Sequence, residues 1–123
     1  MIQKEGRFPP IVVFAEGGTS NGSSILGFKK GAFSALLPVR PIVLKYESPM
    51  FHNAYDVIPF LPMFILQSCV TDFTCTVQEL PPFIPNDFLF KKFESSGKEK
   101  WEIYAEAVRE VMSKASGLPL SKQ

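Results

Sequence analysis

The sequence predicts a mixed α/β fold, and three observations support this prediction. Residues 11–14 form a continuous β-branched and aromatic run, typical of a strand buried on both faces of a sheet. A second such run, residues 42–46, follows Pro41. Residues 101–115 carry apolar side chains at helical spacing, which favours an amphipathic helix laid on a sheet. With 123 residues, the chain is long enough for one domain at most.

A glycine-rich loop and a short helix are predicted between the two strands. Residues 16–24 are small and polar, so they cannot continue the first strand. Residues 25–37 place apolar side chains at helical spacing, with Gly31 as a weak point and Pro38 as the stop. Strand, loop, helix and strand together predict one βαβ unit with a right-handed crossover, within a mixed sheet.

The middle of the chain is apolar and interrupted by proline. Residues 57–70 contain Pro59 and Pro62, and we predict a pair of short helices that are covered on all sides or lie against lipid. This run is shorter than the roughly 20 residues that span a bilayer, so no transmembrane helix is expected. Residues 72–80 alternate apolar and polar side chains, as a third strand would, and residues 85–97 are predicted to form a loop.

The last helix has the clearest boundaries in the sequence. Ser96 and Glu99 have the spacing of a capping box at its start, and Gly117 is a C-terminal signal. We therefore assign residues 1–117 to the domain and residues 118–123 to a tail.

Composition and charge exclude several classes of function. The formal net charge is only +1, so a nucleic-acid partner is not expected, and any anion must bind at a local site. A hydrophobic fraction of 46% excludes disorder caused by low hydrophobicity. One histidine and two cysteines, Cys69 and Cys75, cannot assemble a zinc site, so no metal is expected. We predict that both cysteines are reduced and buried.

Two places in the sequence are candidates for chemistry. The loop at residues 16–24 stands between a predicted strand and a predicted helix, where backbone N–H groups can converge on an anion, although a plain glycine loop has the same pattern. Lys29 and Lys30 are either its cationic partners or a solvated surface. His52 and Asp56 have the spacing of a base and its orienting acid on a helix, but we favour the alternative, a loop histidine near a surface aspartate.

Three sequence blocks resemble the phospholipid/glycerol acyltransferase family, and within it most resemble the lysophosphatidylcholine acyltransferases. The blocks, in chain order, are Phe-Ala-Glu-Gly-Gly-Thr-Ser-Asn-Gly at 14–22, Phe-Lys-Lys-Gly-Ala-Phe at 28–33 and Pro-Val-Arg-Pro at 38–41. The family has Phe-Pro-Glu-Gly-Thr followed by Asn-Gly, then Phe-Lys-x-Gly-Ala-Phe, then a Val-Pro-x-x-Pro strand entry. Ala15 replaces the family's proline, and Gly18 replaces its first threonine.

The resemblance implies a partial α/β acyltransferase domain and a reaction. The family transfers a fatty acyl group from acyl-CoA, a co-substrate, to the hydroxyl of a lysophospholipid or glycerol phosphate, and no other cofactor is implied. It also implies membrane association, at the cytosolic face of the endoplasmic reticulum. Carried over residue by residue, the acceptor site comprises Glu16, Gly17, Gly18, Thr19, Asn21 and Gly22, with Lys29 as a phosphate contact.

The family's catalytic base and its orienting acid, a His-x4-Asp pair N-terminal to the Glu-Gly-Thr block, have no counterpart here. No histidine precedes Glu16, and the residue five positions after His52 is Val57. We therefore expect a C-terminal portion of an acyltransferase whose catalytic residues stay unassigned, and whether the chain is itself an enzyme remains open. The alternatives are a non-catalytic lipid-binding or membrane-surface scaffold protein and a small soluble phosphate-binding module.

Overall fold

A computed structural model describes residues 9–18, 20, 22–49, 58–69, 72–92 and 97–121. Within these ranges the chain forms a two-stranded sheet, three α-helices and one 3-10 turn. The elements are the 3-10 turn Lys30–Ala32, β1 Ile42–Glu47, α1 Phe60–Cys69, β2 Thr74–Glu79, α2 Asp87–Lys92 and α3 Lys100–Ser116. None of the helices in the described ranges combines the length and hydrophobicity needed to cross a bilayer.

The sheet pairs β1 with β2 in antiparallel register. Ile42 lies opposite Glu79 at one end and Glu47 opposite Thr74 at the other. The pairing continues beyond the strands, because Val39 and Phe83 exchange backbone hydrogen bonds of 3.1 and 2.7 Å. The predicted strands at 42–46 and 72–80 are therefore both present, and the mixed α/β class is confirmed.

The predicted βαβ unit does not form in the described part of the chain, because its first strand is missing. Residues 11–14 have no strand assignment, and their side chains are exposed, with Val12 at 80% and Phe14 at 77%. A strand exists only where a neighbour supplies hydrogen bonds to its backbone. No described segment lies beside residues 11–14 as a strand, so an intrinsically strand-forming run remains outside the sheet.

The helix predicted at residues 25–37 is also wrong, since only the 3-10 turn Lys30–Ala32 forms there. The backbone of Ile25 forms hydrogen bonds with the C-terminal segment instead of within a helix. Its N–H donates to the carbonyl of Pro119 at 3.0 Å, and its carbonyl accepts from the N–H of Ser121 at 3.0 Å. Gly27 and Gly31 further weaken helix formation in this segment. Pairing with the C-terminal residues has therefore replaced the helical turn.

The predictions for the two short helices also need correction. Residues 57–70 were predicted to form a pair of short helices, but their described part forms one helix, α1. This helix includes Pro62, because Pro62 lies in the first turn, where an N–H has no partner within the helix. The loop predicted at residues 85–97 contains α2. The overlooked signal is Asn86, whose side-chain Oδ1 accepts the N–H of Leu89 at 2.9 Å, as an N-cap does.

The core forms where α3 packs over the 3-10 turn and the start of the sheet. Its buried residues are Phe33, Tyr104, Ala105 and Val108. Tyr104 has no exposed surface, and its ring meets that of Phe33 edge-on at 5.3 Å. Its hydroxyl lies 2.9 Å from the carbonyl oxygen of Leu37 and 3.0 Å from that of Phe83, so it can donate to either. Tyr104 therefore joins the helix to both connecting segments.

Both ends of α3 are fixed by hydrogen bonds. At its start, the capping box pairs Glu99 with Glu102 instead of the predicted Ser96 with Glu99: Glu99 is the N-cap, and its N–H donates to the carboxylate of Glu102 at 3.1 Å. Ser96 lies outside the described residues. At its end, Gly117 adopts a left-handed conformation with φ of 72°. Arg109 Nη2 donates to the carbonyl oxygens of Ile25 and Ser121 at 2.7 and 2.8 Å, which ties the chain's end to the segment after the glycine loop.

Candidate functional site

The glycine-rich loop is closed at its base by backbone and side-chain hydrogen bonds. The N–H of Lys29 donates to the carbonyl of Ala15 at 2.8 Å. Within the segment that this bond closes, the N–H of Leu26 donates to Glu16 Oε1 at 3.3 Å. The N–H of Gly17 turns back to the carbonyl of Phe14 at 3.2 Å. The first two of these bonds join residues 14 and 10 positions apart and close the loop, which no local sequence pattern indicates.

Glu16 thus has a structural task that the sequence did not indicate. Its carboxylate accepts from the Leu26 backbone, so part of its negative charge is directed inward along the loop rather than toward solvent. The carboxylate of Glu16 holds the loop and Gly17 makes the turn. This division of roles explains why a glutamate is followed by a glycine here. Glu16 therefore helps to hold the loop closed.

Gly17 and Lys29 are in direct proximity. Gly17 has φ of 65°, a left-handed conformation that glycine adopts without strain. A Cβ built on Gly17 would lie 2.8 Å from Lys29 Cγ, closer than two carbon atoms can approach. The aliphatic part of Lys29 therefore lies directly over the turn, and only glycine leaves room for it.

The two neighbouring lysines have different environments. Lys30 Nζ lies 3.2 Å from Glu99 Oε2 and 5.7 Å from the centre of the Trp101 ring. Lys30, and then Trp101 through its Nε1 at 2.6 Å, hold the pKa of Glu99 below its usual value by hydrogen bonding to the carboxylate. Lys29 is exposed and has no ion-pair partner among the described residues. Lys29 is therefore the lysine that is available to a ligand.

Only some of the other predicted site residues lie in the described part of the chain. Gly18 and Gly22 are exposed in the same loop, and Gly22 also has a positive φ of 70°. Thr19 and Asn21 lie outside the described residues, as do His52 and Asp56. No cluster of three or more metal-ligating side chains occurs in the described ranges. Cys69 and Cys75 are free, as predicted, but both are exposed rather than buried.

The arrangement can bind an anion at the surface. The Lys29 side chain lies over a turn of exposed glycine backbone, and the carboxylate of Glu16 accepts a hydrogen bond within the loop. Exposed glycine backbone permits close approach of a phosphate, and a flexible ammonium can follow it as a point charge.

We expect Gly17→Ala to weaken phosphate binding and to lower the free energy of unfolding by about 1–2 kcal/mol, because alanine is strained at positive φ and its Cβ displaces Lys29. Gly117→Ala is the matched control for stability, since it has a similar φ of 72° and nothing within 4 Å. Urea unfolding should show comparable losses for both variants. Glycerol 3-phosphate titration should show weaker binding for Gly17→Ala alone, and unchanged affinity in that variant would contradict the proposed contact.

Comparison with known proteins supports the family indicated by the sequence blocks. The chain is 33% identical over 121 residues to a lysophosphatidylcholine acyltransferase of Drosophila melanogaster, covering 93% of this chain and 20% of that protein. It is 34% identical over 114 residues to the lysophospholipid acyltransferase LPEAT1 of Arabidopsis thaliana, covering 93% of this chain and 27% of that protein. It is 30% identical to human lysophosphatidylcholine acyltransferase 2, covering 94% of this chain and 20% of that protein.

The described residues form a small α/β scaffold with a closed glycine-rich loop on its surface, and the comparisons show what the chain is related to. The chain is a relative of the lysophospholipid acyltransferases, which confirms the resemblance. It spans about a fifth to a quarter of the length of these curated relatives. No family model matches the chain. No solved structure matches it either.

Proposed function

We propose that this chain forms the acceptor-binding part of an acyl-CoA-dependent lysophospholipid acyltransferase. In that reaction the acceptor hydroxyl attacks the thioester carbonyl, a new ester bond forms, and the thiolate of CoA leaves. The hydroxyl proton passes to a base. The observation that carries the proposal is the closed loop of Glu16, Gly17 and Lys29, which presents a cation beside glycine backbone within a sequence related to these enzymes.

The proposed role is binding rather than proton transfer. His52 is the single histidine of the chain, and Val57 stands where the family pattern has aspartate. The loop instead offers what a phosphate needs: positive charge, and backbone with no side chain in the way. The phosphate of a lysophospholipid or of glycerol phosphate would be held at Lys29, which leaves the acceptor hydroxyl to point away from the loop.

We also propose that the chain works at a membrane surface, because a lysophospholipid acceptor partitions into bilayers. The finer assignment to the cytosolic face of the endoplasmic reticulum, and acyl-CoA as the donor without a further cofactor, follow from the resemblance alone.

A titration in solution tests the proposal. The 123-residue chain is titrated with a short-chain lysophosphatidylcholine below its micelle concentration and, separately, with a monoacylglycerol of the same acyl chain, which lacks the phosphate. We expect the phosphate-bearing lipid to bind about tenfold more tightly, the effect of one charge-assisted hydrogen bond. Equal affinities would overturn the proposal.

A non-catalytic lipid-binding protein is the second candidate, and the exposed apolar side chains of Phe60, Leu61 and Phe64 on α1 favour it. The same titration separates the two candidates. A surface scaffold that recognises only apolar lipid binds both ligands alike, whereas an acceptor site discriminates between them through the phosphate.

A further inference from the structure

The guanidinium of Arg109 connects three segments that lie far apart in the sequence. Arg109 follows Val108 on α3, a core residue that is 2% exposed. Its Nη2 carries two hydrogens and can donate one to the carbonyl of Ile25, at 2.7 Å, and one to the carbonyl of Ser121, at 2.8 Å. The side chain therefore links α3 to the residue that follows the glycine loop and to the C-terminal segment, residues 118–121.

The C-terminal segment also holds Ile25 directly. The N–H of Ile25 donates to the carbonyl of Pro119 at 3.0 Å, and its carbonyl accepts from the N–H of Ser121 at 3.0 Å. The segment is itself attached to α3, because the hydroxyl of Ser113 donates to the carbonyl of Leu118 at 2.6 Å. With its backbone paired and its side chain buried, Ile25 is a fixed point at the end of the glycine loop.

The peptide unit between Ile25 and Leu26 has two partners of opposite charge. Its carbonyl oxygen accepts from the Arg109 guanidinium, and its N–H, that of Leu26, donates to Glu16 Oε1 at 3.3 Å. Since a peptide unit is planar, a bond that fixes the direction of its carbonyl also fixes the direction of its N–H. A cationic donor at the carbonyl also polarises the unit and strengthens its N–H as a donor. Arg109 therefore both orients and strengthens the bond that holds Glu16.

The guanidinium of Arg109 is not paired with a carboxylate in the described part of the chain. It forms no ion pair with any described acidic side chain, and its Nε is buried without a hydrogen-bond partner there. A partly buried cation is ordinarily paired, and an unpaired buried donor costs free energy. The peptide that follows Ile25 connects this cation to the carboxylate of Glu16, so the two charges stabilise each other through one peptide unit.

We propose that Arg109 is a positioning residue for the phosphate-binding loop, which acts by orienting the peptide between residues 25 and 26 so that its N–H retains the carboxylate of Glu16. The inference rests on the proposed function, since the ligand of the loop is the acceptor's phosphate. Glu16 precedes the turn over which the side chain of Lys29 lies. A released carboxylate would compete with the phosphate for the Lys29 ammonium, whereas a retained one does not.

Titration with glycerol 3-phosphate tests the effect on binding. We expect Arg109→Gln to weaken binding about tenfold, because it removes the cationic donor and releases Glu16. Arg40→Gln is the matched control, since Arg40 is exposed and its Nη1 lies 3.6 Å from Glu79 Oε2. It should change the affinity by no more than about twofold. Unchanged affinity in Arg109→Gln, or an equal loss in Arg40→Gln, would overturn the proposal.

A double-mutant cycle tests whether Arg109 acts through Glu16. Glu16→Gln keeps an acceptor for the Leu26 N–H but removes the charge that would compete with phosphate. In this background Arg109→Gln should weaken binding by no more than about twofold, because no carboxylate is left to be released. A loss of the same size in both backgrounds would mean that Arg109 acts on the phosphate or on the fold directly, and it would overturn the proposal.

Amide hydrogen exchange without ligand separates this proposal from the proposed function. Arg109→Gln should accelerate exchange of the Leu26 amide about tenfold, whereas the Val39 amide, which donates to the carbonyl of Phe83 at 3.1 Å, should stay within about twofold. Equal acceleration of both amides would indicate a loss of global stability and would overturn the proposal. If the Leu26 amide alone responds but the unaltered chain does not bind glycerol 3-phosphate, the acceptor site is refuted and the positioning of the loop stands.

Ser113→Ala makes the same test without changing a charge. It removes the hydroxyl that holds Leu118, and it thereby loosens the C-terminal segment to which Ile25 is bonded. We expect the Leu26 amide to exchange about threefold faster, with the Val39 amide unchanged. If the Leu26 amide responds in neither variant while the unaltered chain binds glycerol 3-phosphate, the positioning role is refuted and the proposed function stands.

Discussion

Replacing Tyr104 by alanine is expected to lower the free energy of unfolding by about 3–5 kcal/mol, the usual range for removing a buried aromatic ring. Tyr104 has no exposed surface, and it contacts Phe33 at 5.3 Å and Phe83 at 5.7 Å between ring centres. The core is small, so no neighbouring layer can move in to fill the cavity. Urea unfolding monitored by the fluorescence of Trp101 measures the loss.

A second variant measures the contribution of the Tyr104 hydroxyl, and a third, at an exposed tyrosine, is the control. Tyr104→Phe keeps the ring but removes the donor shared by Leu37 and Phe83, and the expected loss is about 1–2 kcal/mol. Tyr46→Ala is the control, since Tyr46 is 51% exposed and should lose distinctly less than Tyr104→Ala. If Tyr104→Ala were no more damaging than Tyr46→Ala, the core described here would be wrong.

The same side chain should make stability fall at alkaline pH. Burial raises the pKa of Tyr104 above its usual value, so the folded chain retains a proton that the unfolded chain loses first. The contribution is complete below the unfolded pKa of about 10, and it is lost as pH rises from there through the folded pKa. Tyr104→Phe should lack this part of the alkaline loss, which a pH series of unfolding curves can detect.

Lys29→Ala is expected to weaken binding of glycerol 3-phosphate about tenfold, because it removes the unpaired ammonium beside the Gly17 turn. Lys91→Ala is the matched control: Lys91 is exposed on α2, away from the loop in sequence. It should change the affinity by no more than about twofold, as a remote surface charge does. Isothermal titration at low ionic strength measures all the variants.

Lys30→Ala tests whether the loss of phosphate affinity is specific to Lys29. Lys30 is adjacent to Lys29, but its ammonium is paired with Glu99 at 3.2 Å. Removing it should alter affinity less than removing Lys29. An equal or larger loss for Lys30→Ala would mean that a ligand competes successfully with Glu99, and it would shift the anion site toward the start of α3.

The sequence predicted those elements whose signals are local. The predictions of β1, β2 and α3 are confirmed. Strand-forming runs and helical spacing favour these elements, and the described part of the chain also supplies the segments against which they pair or pack. The run at residues 11–14 has the same local signal, but the described part of the chain provides no neighbouring strand for it. Pro62 was misjudged because a proline interrupts a helix only beyond its first turn. Local patterns therefore identified the residues that favour each element, but not the contacts that permit it.

The candidate site was predictable in its residues but not in its geometry. The Glu-Gly pair and the lysine that follows it could be identified from the sequence blocks. The bond from the Lys29 N–H to Ala15, and that from the Leu26 N–H to Glu16, connect distant positions and depend on the fold. The different environments of Lys29 and Lys30 depend on Glu99, which is 69 residues from Lys30. No spacing rule could have assigned the two lysines to separate roles.

The measurement that tests the central claim most directly is a residue-resolved NMR titration of the 123-residue chain with glycerol 3-phosphate, with glycerol as the phosphate-free control. The account predicts that the largest amide shifts occur at Gly17, Gly18, Gly22 and Lys29, saturate together, and are absent with glycerol. Shifts that are centred elsewhere, that are spread over the exposed lysines, or that appear equally with glycerol would contradict an acceptor-phosphate site in this loop.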